Sequence, residues 1–480
     1  MTVDARIGAA RRRTKIVCTL GPTSNGPDVI GRLLDAGMDV VRVNMSHGTR
    51  DTHASVIAIV RAEAEKRGLH VPVMMDLTGP KMRIGTFAQG QISLAPGEPF
   101  TLTARDVTGD DKIVSVNYPP LVADIEPGDR ILMGDGEIEL RVKSKRGEDV
   151  LCEVVSGGVL RSHKGINAPG VKLTEEVPTA KDLEDVRFGI DHGVDWFALS
   201  FVRYPREVER LRGYLIDHDT DVPIVVKLEK KQALDNLDGI LKVANAVMVA
   251  RGDLGLELPL SEVPLIQKDV IRKAVAAGRP VITATQMLES MIEHPRPTRA
   301  EAADVANAIF DGTDAVMLSG ETAAGKYPVE AVTTMAEIAS ASERRIDYGD
   351  RLSRVSLHAG HRIAAAIAHA ACTTAVEIGA KVIICCTRSG QTARLVSRFR
   401  PPMPIVAVSP DDTTVRRVGL YWNTVAVASA LRNDVDHMVE AAKAAVTQSG
   451  IADKGDRAVI VAGVPVAEPG TTNTIKADVL

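Results

Sequence analysis

The sequence predicts an α/β protein built on a (β/α)8 barrel of the TIM type, with an all-β module spliced in after the third strand and an open α/β domain after the barrel. Three observations carry this expectation. Eight short, apolar, β-branched runs alternate with amphipathic helical patterns, as parallel strands buried on both faces do. The rhythm breaks between about Gly85 and Glu175, where the turn signals PGE, TGDD, PGD, GDGE, RGED and SGG separate short alternating segments. After about Ser353 a further helix–strand alternation begins that the eight barrel units do not require. A doubly wound sheet is the competing arrangement of the same elements.

In chain order, the strands expected before the insert are Thr14–Thr19, Asp39–Asn44 and Val71–Asp76. Those after it are Val194–Phe201, Pro223–Lys227, Ala246–Ala250, Val281–Thr285 and Asp314–Ser319. The helix that resumes the barrel starts at Thr179, with Asp182 as its capping-box partner, and Gly193 closes it. The last region reads as a helix from His361 to Gly379, then strands Lys381–Cys386, Pro404–Val408 and Arg457–Ala462 with helices between. The sequence shows no repeat beyond the βα unit and no low-complexity segment.

A length of 480 residues suggests about three domains at roughly 150 residues each. Hydrophobic residues at 45% and charged residues at 25% are ordinary for a globular chain. A formal charge of −4 offers no general attraction to nucleic acid or anionic membrane, so phosphate recognition must be local. The five cysteines, Cys18, Cys152, Cys372, Cys385 and Cys386, form no C-x-x-C pair and fit reduced thiols in a cytoplasm. No signal-peptide core follows Arg11, Arg12 and Arg13, and the longest apolar stretch, Ile363 to Val376, is broken by His369 and two threonines. A cytoplasmic protein without a membrane span is expected.

Barrel enzymes carry their active sites at the C-terminal strand ends. Here those ends collect Arg42, Asn44, Ser46 and His47 from the second strand, Asp76 from the third, Lys227 and Glu229 from the fifth, Arg251, Gly252 and Asp253 after the sixth, and Thr285 from the seventh. Any one of them reads as a solvated strand end; their convergence on one rim points to a site. Glu229 and Asp253 suit a hard divalent cation that keeps waters and takes oxygen from its substrate. Lys227, Arg42 and such a cation would supply the positive charge that phosphoryl transfer needs. Lys227 as a Schiff-base nucleophile is the competing role, but two nearby carboxylates raise a lysine pKa where an imine-forming amine needs it lowered.

The segments KIVCTLGP (15–22), VRVNMSHG (41–48), MMDLTGPKMRIG (74–85), VVKLE (225–229), MVARGDLGLELP (248–259), TATQMLESM (283–291) and PTRAEAADVANAIFDGTDAVMLSGETAAGKYP (297–328) resemble the pyruvate kinase family, in its bacterial, potassium-independent, lysine-containing form. The resemblance implies transfer of the phosphoryl group of phosphoenolpyruvate to ADP, the last step of glycolysis. It implies Lys227 as stabiliser of the transferring group, Arg42 on the phosphate, and Glu229 with Asp253 on Mg2+ or Mn2+. Gly252 and Asp253 would hold the substrate carboxylate, and Thr285 would seat the substrate and orient the water chain that protonates the enolpyruvate. Asn44, His47, Arg83 and Lys164 would meet the nucleotide. The insert becomes a small β-barrel lid, giving divisions at 1–82 and 176–345 (barrel), 83–175 (lid) and 346–480 (C-terminal α/β regulatory domain).

Three further expectations rest on the same likeness. Thr387, Ser389, Gly390 and Thr392, in TRSGQTA, form an effector loop for a sugar phosphate or AMP, with a capped helix as the plain alternative. The chain assembles as a homotetramer. Potassium-requiring relatives have a threonine and a glutamate where this chain has Leu77 and Lys81, so Lys81 takes the place of K+ near Asn44, Ser46 and Asp76, and K+ is not required. A carbon–carbon lyase using Lys227 and an inactive metabolite-binding protein are the alternatives, the latter disfavoured because Lys227, Glu229, Asp253 and Thr285 are all present.

Overall fold

A computed structural model describes residues 12–134, 136–354, 362–429, 434–465 and 471–480. Its centre is a closed barrel of eight parallel strands: Lys15–Thr19, Val40–Asn44, Val73–Asp76, Trp196–Leu199, Ile224–Leu228, Ala246–Ala250, Val281–Ala284 and Ala315–Leu318. Each strand pairs with the next in sequence and the eighth closes on the first, through Lys15 beside Ala315, so the doubly wound alternative falls. Six of the eight strands are shorter than the runs expected for them; Ala246–Ala250 has the expected bounds, and Ile224–Leu228 is shifted by one residue from Pro223–Lys227. Val194, for example, is buried yet precedes its strand, because flanking apolar residues join the core without joining the ladder.

The two-residue period of a strand sorts the barrel's side chains. Val17, Val40, Met74, Trp196, Val225, Met248, Ile282 and Met317 pack together in the interior. Their neighbours Ile16, Val41, Val73, Phe197, Val226, Val247, Val281 and Val316 pack outward against the helices. Two residues beyond Val40, Met74 and Val225, the same inward register holds Arg42, Asp76 and Lys227, so alternation alone delivers three charged groups to one point at the rim.

The chain leaves the barrel after the third strand through Gly79, whose φ is +65° and where a Cβ would lie 2.6 Å from the Phe201 ring; a side chain does not fit there. The insert has its own core, including Phe87, Phe100, Leu140 and Val142. It comprises a six-stranded mixed sheet, in the order Ile166–Asn167, Arg130–Met133, Ile138–Arg146, Asp149–Ser156, Pro99–Thr103 and Ile113–Ser115, with a separate pair Gln91–Leu94 and Gly158–Arg161. The barrel resumes at helix Ala180–Asp191, whose Thr179–Asp182 capping box is formed as expected. Asp182 Oδ1 also accepts the Gly79 amide at 3.0 Å, tying the exit to the return.

The C-terminal region is a five-stranded sheet in the order Thr424–Ala428, Ile405–Ser409, Val382–Cys386, Arg457–Ala462 and Thr474–Val479, the last antiparallel. Two of these strands, Thr424–Ala428 and Thr474–Val479, lie outside the expected set of three. The expected helix runs Arg362–Glu377; its predicted start at position 361 falls outside the described residues. This domain packs on the base of the barrel, with Arg400 on Asp314 at 2.8 Å, Arg416 on Asp195 at 2.8 Å, and the Trp196 and Tyr421 rings edge-on at 6.3 Å. The opposite rim, with the charged cluster, is left to face the insert. All five cysteines are buried and free, and burial pushes the thiols up, to about 12 at Cys386, so they belong to the core. Among the described residues no helix is long and apolar enough to cross a membrane.

Candidate active site

Asp76 organises the rim. Its Oδ2 accepts from Arg42 Nε at 2.6 Å, and its Oδ1 lies 3.1 Å from Lys227 Nζ. Lys227 Nζ also reaches Glu229 Oε1 at 2.8 Å and donates to Ser200 Oγ at 2.7 Å, while Arg42 reaches Thr19 Oγ1 at 2.8 Å. The second oxygen of Glu229 accepts the Phe201 amide at 2.8 Å. Two cations and two carboxylates are thus locked inside a nearly dry rim, with Asp76 and Glu229 each 1% exposed. The strand register explains the meeting, since Asp76 lies opposite Asn44 on one side and Ala198 on the other, two residues before Ser200.

The electrostatics follow. Burial opposes ionisation of Asp76, but Arg42 and Lys227 outweigh it and hold the carboxyl below its ordinary range. Burial likewise opposes the charge on Lys227, but Asp76 and Glu229 prevail and raise its pKa, so it stays an ammonium. A free-amine nucleophile is therefore disfavoured at this position. Glu229 is raised by burial, against the pull of Lys227 and with the repulsion of Asp253. Relief of that repulsion is what a bound divalent cation provides. Among the described residues no group of three or more His, Cys, Asp or Glu could hold a metal. A two-carboxylate set fits Mg2+, which keeps waters and takes substrate oxygens, and does not fit a fully caged ion.

Next to this cluster the backbone is strained. Thr285 sits at φ +67° and Gln286 at +52°, just past the seventh strand, which ends at Ala284 and not at Thr285 as expected. Left-handed backbone at a β-branched residue is rare and held only by its surroundings. Arg251 supplies the hold: its Nη2 donates to Thr285 O at 2.7 Å while its Nη1 pairs with Asp304 at 2.7 Å. The expected turn at Arg251–Asp253 is the first turn of a short helix, Arg251–Glu257, and its Gly252 amide donates to Thr285 Oγ1 at 2.8 Å.

The remaining predicted residues lie around the junction with the insert. Asn44 Oδ1 accepts the Ser46 amide at 3.1 Å, shaping the loop that presents His47. His47 is lowered in pKa, first by burial and then by Arg83, Lys81 and Arg42. Arg83 bridges to Gly165 in the insert, next to Lys164, whose carbonyl accepts the Ile84 amide at 3.0 Å. Lys81 is exposed, forms no ion pair among the described residues, and lines two cavities. One, of about 350 Å3, also takes in Ser46, Arg83 and Lys181. The other, of about 50 Å3, takes in Glu229, Asp253, Asn167 and Lys230. Leu77 is buried.

The TRSGQTA loop lies apart, on the C-terminal domain. Thr387 Oγ1 accepts the Gly390 amide at 2.9 Å, Gly390 has φ +77°, and Thr392 Oγ1 meets Thr472 Oγ1 at 2.9 Å; Ser389 is exposed. Three contributors to the rim were missed in the sequence: Thr19, Ser200 and the Phe201 amide. Ser200 lay inside a predicted strand end, the signal that found the others; an amide has no letter.

A family model described as pyruvate kinase, barrel domain, matches residues 11–332, and one described as pyruvate kinase, alpha/beta domain, matches residues 365–477. A pyruvate kinase of Geobacillus stearothermophilus is 44% identical over 473 residues, covering 98% of this chain and 81% of the relative. One of Bacillus licheniformis is 45% identical over 468 residues, covering 97% and 80%. Among solved structures, a pyruvate kinase from Cryptosporidium parvum superimposes with a TM-score of 0.91 at 33% identity, covering 98% of this chain and 97% of the other.

Proposed function

The chain belongs to the pyruvate kinase family, and from that membership together with the rim geometry we propose how its residues divide the work of the reaction. The enzyme is a phosphotransferase of glycolysis that moves the phosphoryl group of phosphoenolpyruvate to ADP, giving pyruvate and ATP. The observation that carries the residue assignment is the Lys227 ammonium, fixed between Asp76 and Glu229 beside Arg42.

In this reading Arg42 and Lys227 face the phosphate and stabilise the charge on the group in flight, their directions set in advance by Asp76. The substrate carboxylate replaces Thr285 Oγ1 as acceptor of the Gly252 amide, with Asp253 beside it, and the freed Thr285 hydroxyl orients the water that protonates the enolpyruvate carbon. The family generally needs Mg2+; Glu229 and Asp253 would hold it here, with Mn2+ as a substitute, and bound there it would neutralise phosphoryl oxygens. Asn44, His47, Arg83 and Lys164 receive the nucleotide. The division into barrel (1–82 and 176–345), insert (83–175) and regulatory domain (346–480) gives the insert the role of a lid that keeps water from competing with ADP.

Independence from K+ draws support from Asp76, whose oxygens are already engaged by Arg42 and Lys227, from the apolar Leu77, and from the exposed Lys81, which forms no ion pair among the described residues and lines cavities shared with Ser46 and Glu229. Thr387, Ser389, Gly390 and Thr392 are assigned to a sugar-phosphate or AMP effector, with Ser389 offering its hydroxyl; loss of any activator's effect in Ser389→Glu tests this. A cytoplasmic homotetramer without nucleic-acid or membrane partners completes the reading, and a monomer at micromolar concentration in sedimentation would count against it. The central experiment is a coupled assay of ADP-dependent pyruvate formation. Borohydride treatment with pyruvate should trap nothing; a captured lysine adduct at Lys227 would favour a lyase.

A further inference from the structure

Beside the metal-site carboxylates a second polar contact crosses from the barrel to the insert. Lys230, the residue after Glu229, places its Nζ 2.5 Å from Glu257 Oε1 and 2.9 Å from Asn167 Oδ1. Lys230 and Glu257 are nearly sealed from solvent, at 7% and 1% side-chain exposure. Glu257 ends the short helix that begins at Arg251 and carries Asp253, and its other oxygen accepts the amide of Gly170 of the insert at 3.4 Å. Lys230 Nζ also stands 5.5 Å above the ring of Phe201, whose amide holds Glu229. The barrel segments bearing both carboxylates therefore grip the insert at Asn167 and Gly170.

The chemistry of the pair fixes an orientation. An ammonium only donates, so Lys230 selects the oxygen of the Asn167 amide and turns the nitrogen the other way. That nitrogen, Nδ2, is buried and has no hydrogen-bond partner among the described residues. Asn167 lines the same cavity of about 50 Å3 as Glu229 and Asp253. Buried donors without acceptors are uncommon in folded proteins and call for an explanation. Here the cavity wall opposite the insert carries Glu229 and Asp253, assigned above to the metal, and Asn167 is three residues past Lys164.

We propose that Asn167 contacts substrate, donating from Nδ2 to a phosphate oxygen of the bound nucleoside diphosphate, and that Lys230 is the positioning residue that aims it and clasps the lid. The proposal rests on the phosphotransfer reading of the rim. Two functions are joined in one side chain: Oδ1 secures the lid, and Nδ2 meets the ligand that the lid covers.

The test compares Asn167→Ala, Asn167→Asp, Lys230→Met and Lys230→Arg by calorimetric ADP binding with Mg2+, by KM for each substrate, and by pyruvate released per ATP formed. Asn167→Ala and Lys230→Met should each weaken ADP by about tenfold, with KM for phosphoenolpyruvate within about twofold of the parent. The double variant should lose no more than either single change, because the two act through one contact. Lys230→Met should also release pyruvate in excess of ATP, as a loosened lid admits water, and Lys230→Arg should restore the parent ratio. Asn167→Asp keeps the bond to Lys230 and deletes the donor, so it should weaken ADP while leaving that ratio near one. Should Lys230→Met misfold through the stranded Glu257, Lys230→Met with Glu257→Gln preserves neutrality and carries the same expectations. Unchanged ADP binding in Asn167→Ala, or strictly additive losses, would overturn the proposal. Lys227→Met separates the two readings: if it abolishes turnover while the Asn167 and Lys230 variants match the parent, the clasp alone is wrong, and if it leaves turnover intact, the rim assignment falls first.

Discussion

Replacing Lys227 by methionine removes a charge at the centre of the rim while keeping much of the side chain's volume. In the ground state that charge lies 2.8 Å from Glu229 and 3.1 Å from Asp76. During transfer it faces phosphoryl oxygens, and a unit charge about 4 Å away at an effective dielectric near 20 is worth roughly 4 kcal/mol. At about 1.36 kcal/mol per decade, kcat should fall on the order of 10³-fold. KM for phosphoenolpyruvate should change far less, because Arg42 stays in place through Asp76 and Thr19. Mg2+ should still bind, since the variant leaves Glu229 and Asp253 and removes a competing cation. The assay is steady-state coupled turnover at saturating Mg2+, with circular dichroism to confirm the fold. A variant with kcat within about tenfold of the parent and a raised KM would refute the reasoning, because the lysine would then serve ground state and transition state alike.

Asp253→Ala should remove most turnover in a folded protein; near-normal activity at saturating Mg2+ would refute the metal assignment. Turnover in a buffer of bulky organic cations should rise by less than about tenfold on adding K+ at matched ionic strength, or about 1.4 kcal/mol on the barrier. Leu77→Thr with Lys81→Glu should create a K+ requirement, and its absence would leave Lys81 a solvated residue. Burial, then Arg83, Lys81 and Arg42, lower the pKa of His47 from its usual 6.5. Its folded pKa is below its unfolded one, so its contribution to stability is present above the unfolded pKa and lost as pH falls through the folded one. Bound ADP, by screening those cations, should raise the His47 pKa in an NMR titration; no movement would separate His47 from the nucleotide.

The barrel was legible because parallel strands buried on both faces leave unbroken apolar runs, and the insert because turns interrupt them. The C-terminal sheet was less so. Thr474–Val479 carries Lys476 and Asp478, as an exposed antiparallel edge strand can, and offers no apolar run to notice. The strand-end rule pointed to Arg42, Asp76, Lys227 and Glu229, which the structure joins in one cluster, and to Asp253 and Thr285 beside it, residues with informative letters in a known register. It passed over Ser200 and Thr19, which also lie at expected strand ends but whose uncharged letters do not show that they receive Lys227 and Arg42 from neighbouring strands. It also missed the Asn167–Lys230 contact, made across a separation of 63 positions between two domains.

Asp76 shows why those omissions matter for mechanism. Phosphoryl transfer asks little covalent chemistry of a protein and much fixed charge. A cation that reorients as the reaction proceeds loses part of what it gains, and a cation already held in place does not. Asp76 is 1% exposed and is kept ionised by the two cations it holds. Both cations are steadied further by hydroxyls: Thr19 receives Arg42, and Ser200 receives Lys227. Glu229 takes the Phe201 amide with one oxygen and Lys227 with the other. Arg42, Asp76, Lys227 and Glu229 thus each have their direction set by a neighbour on or just past an adjacent strand. Barrel closure bears on this arrangement at one point: Thr19 Oγ1 donates to Leu318 O of the eighth strand at 3.0 Å, so opening the wall between the first and eighth strands would release the hydroxyl that receives Arg42.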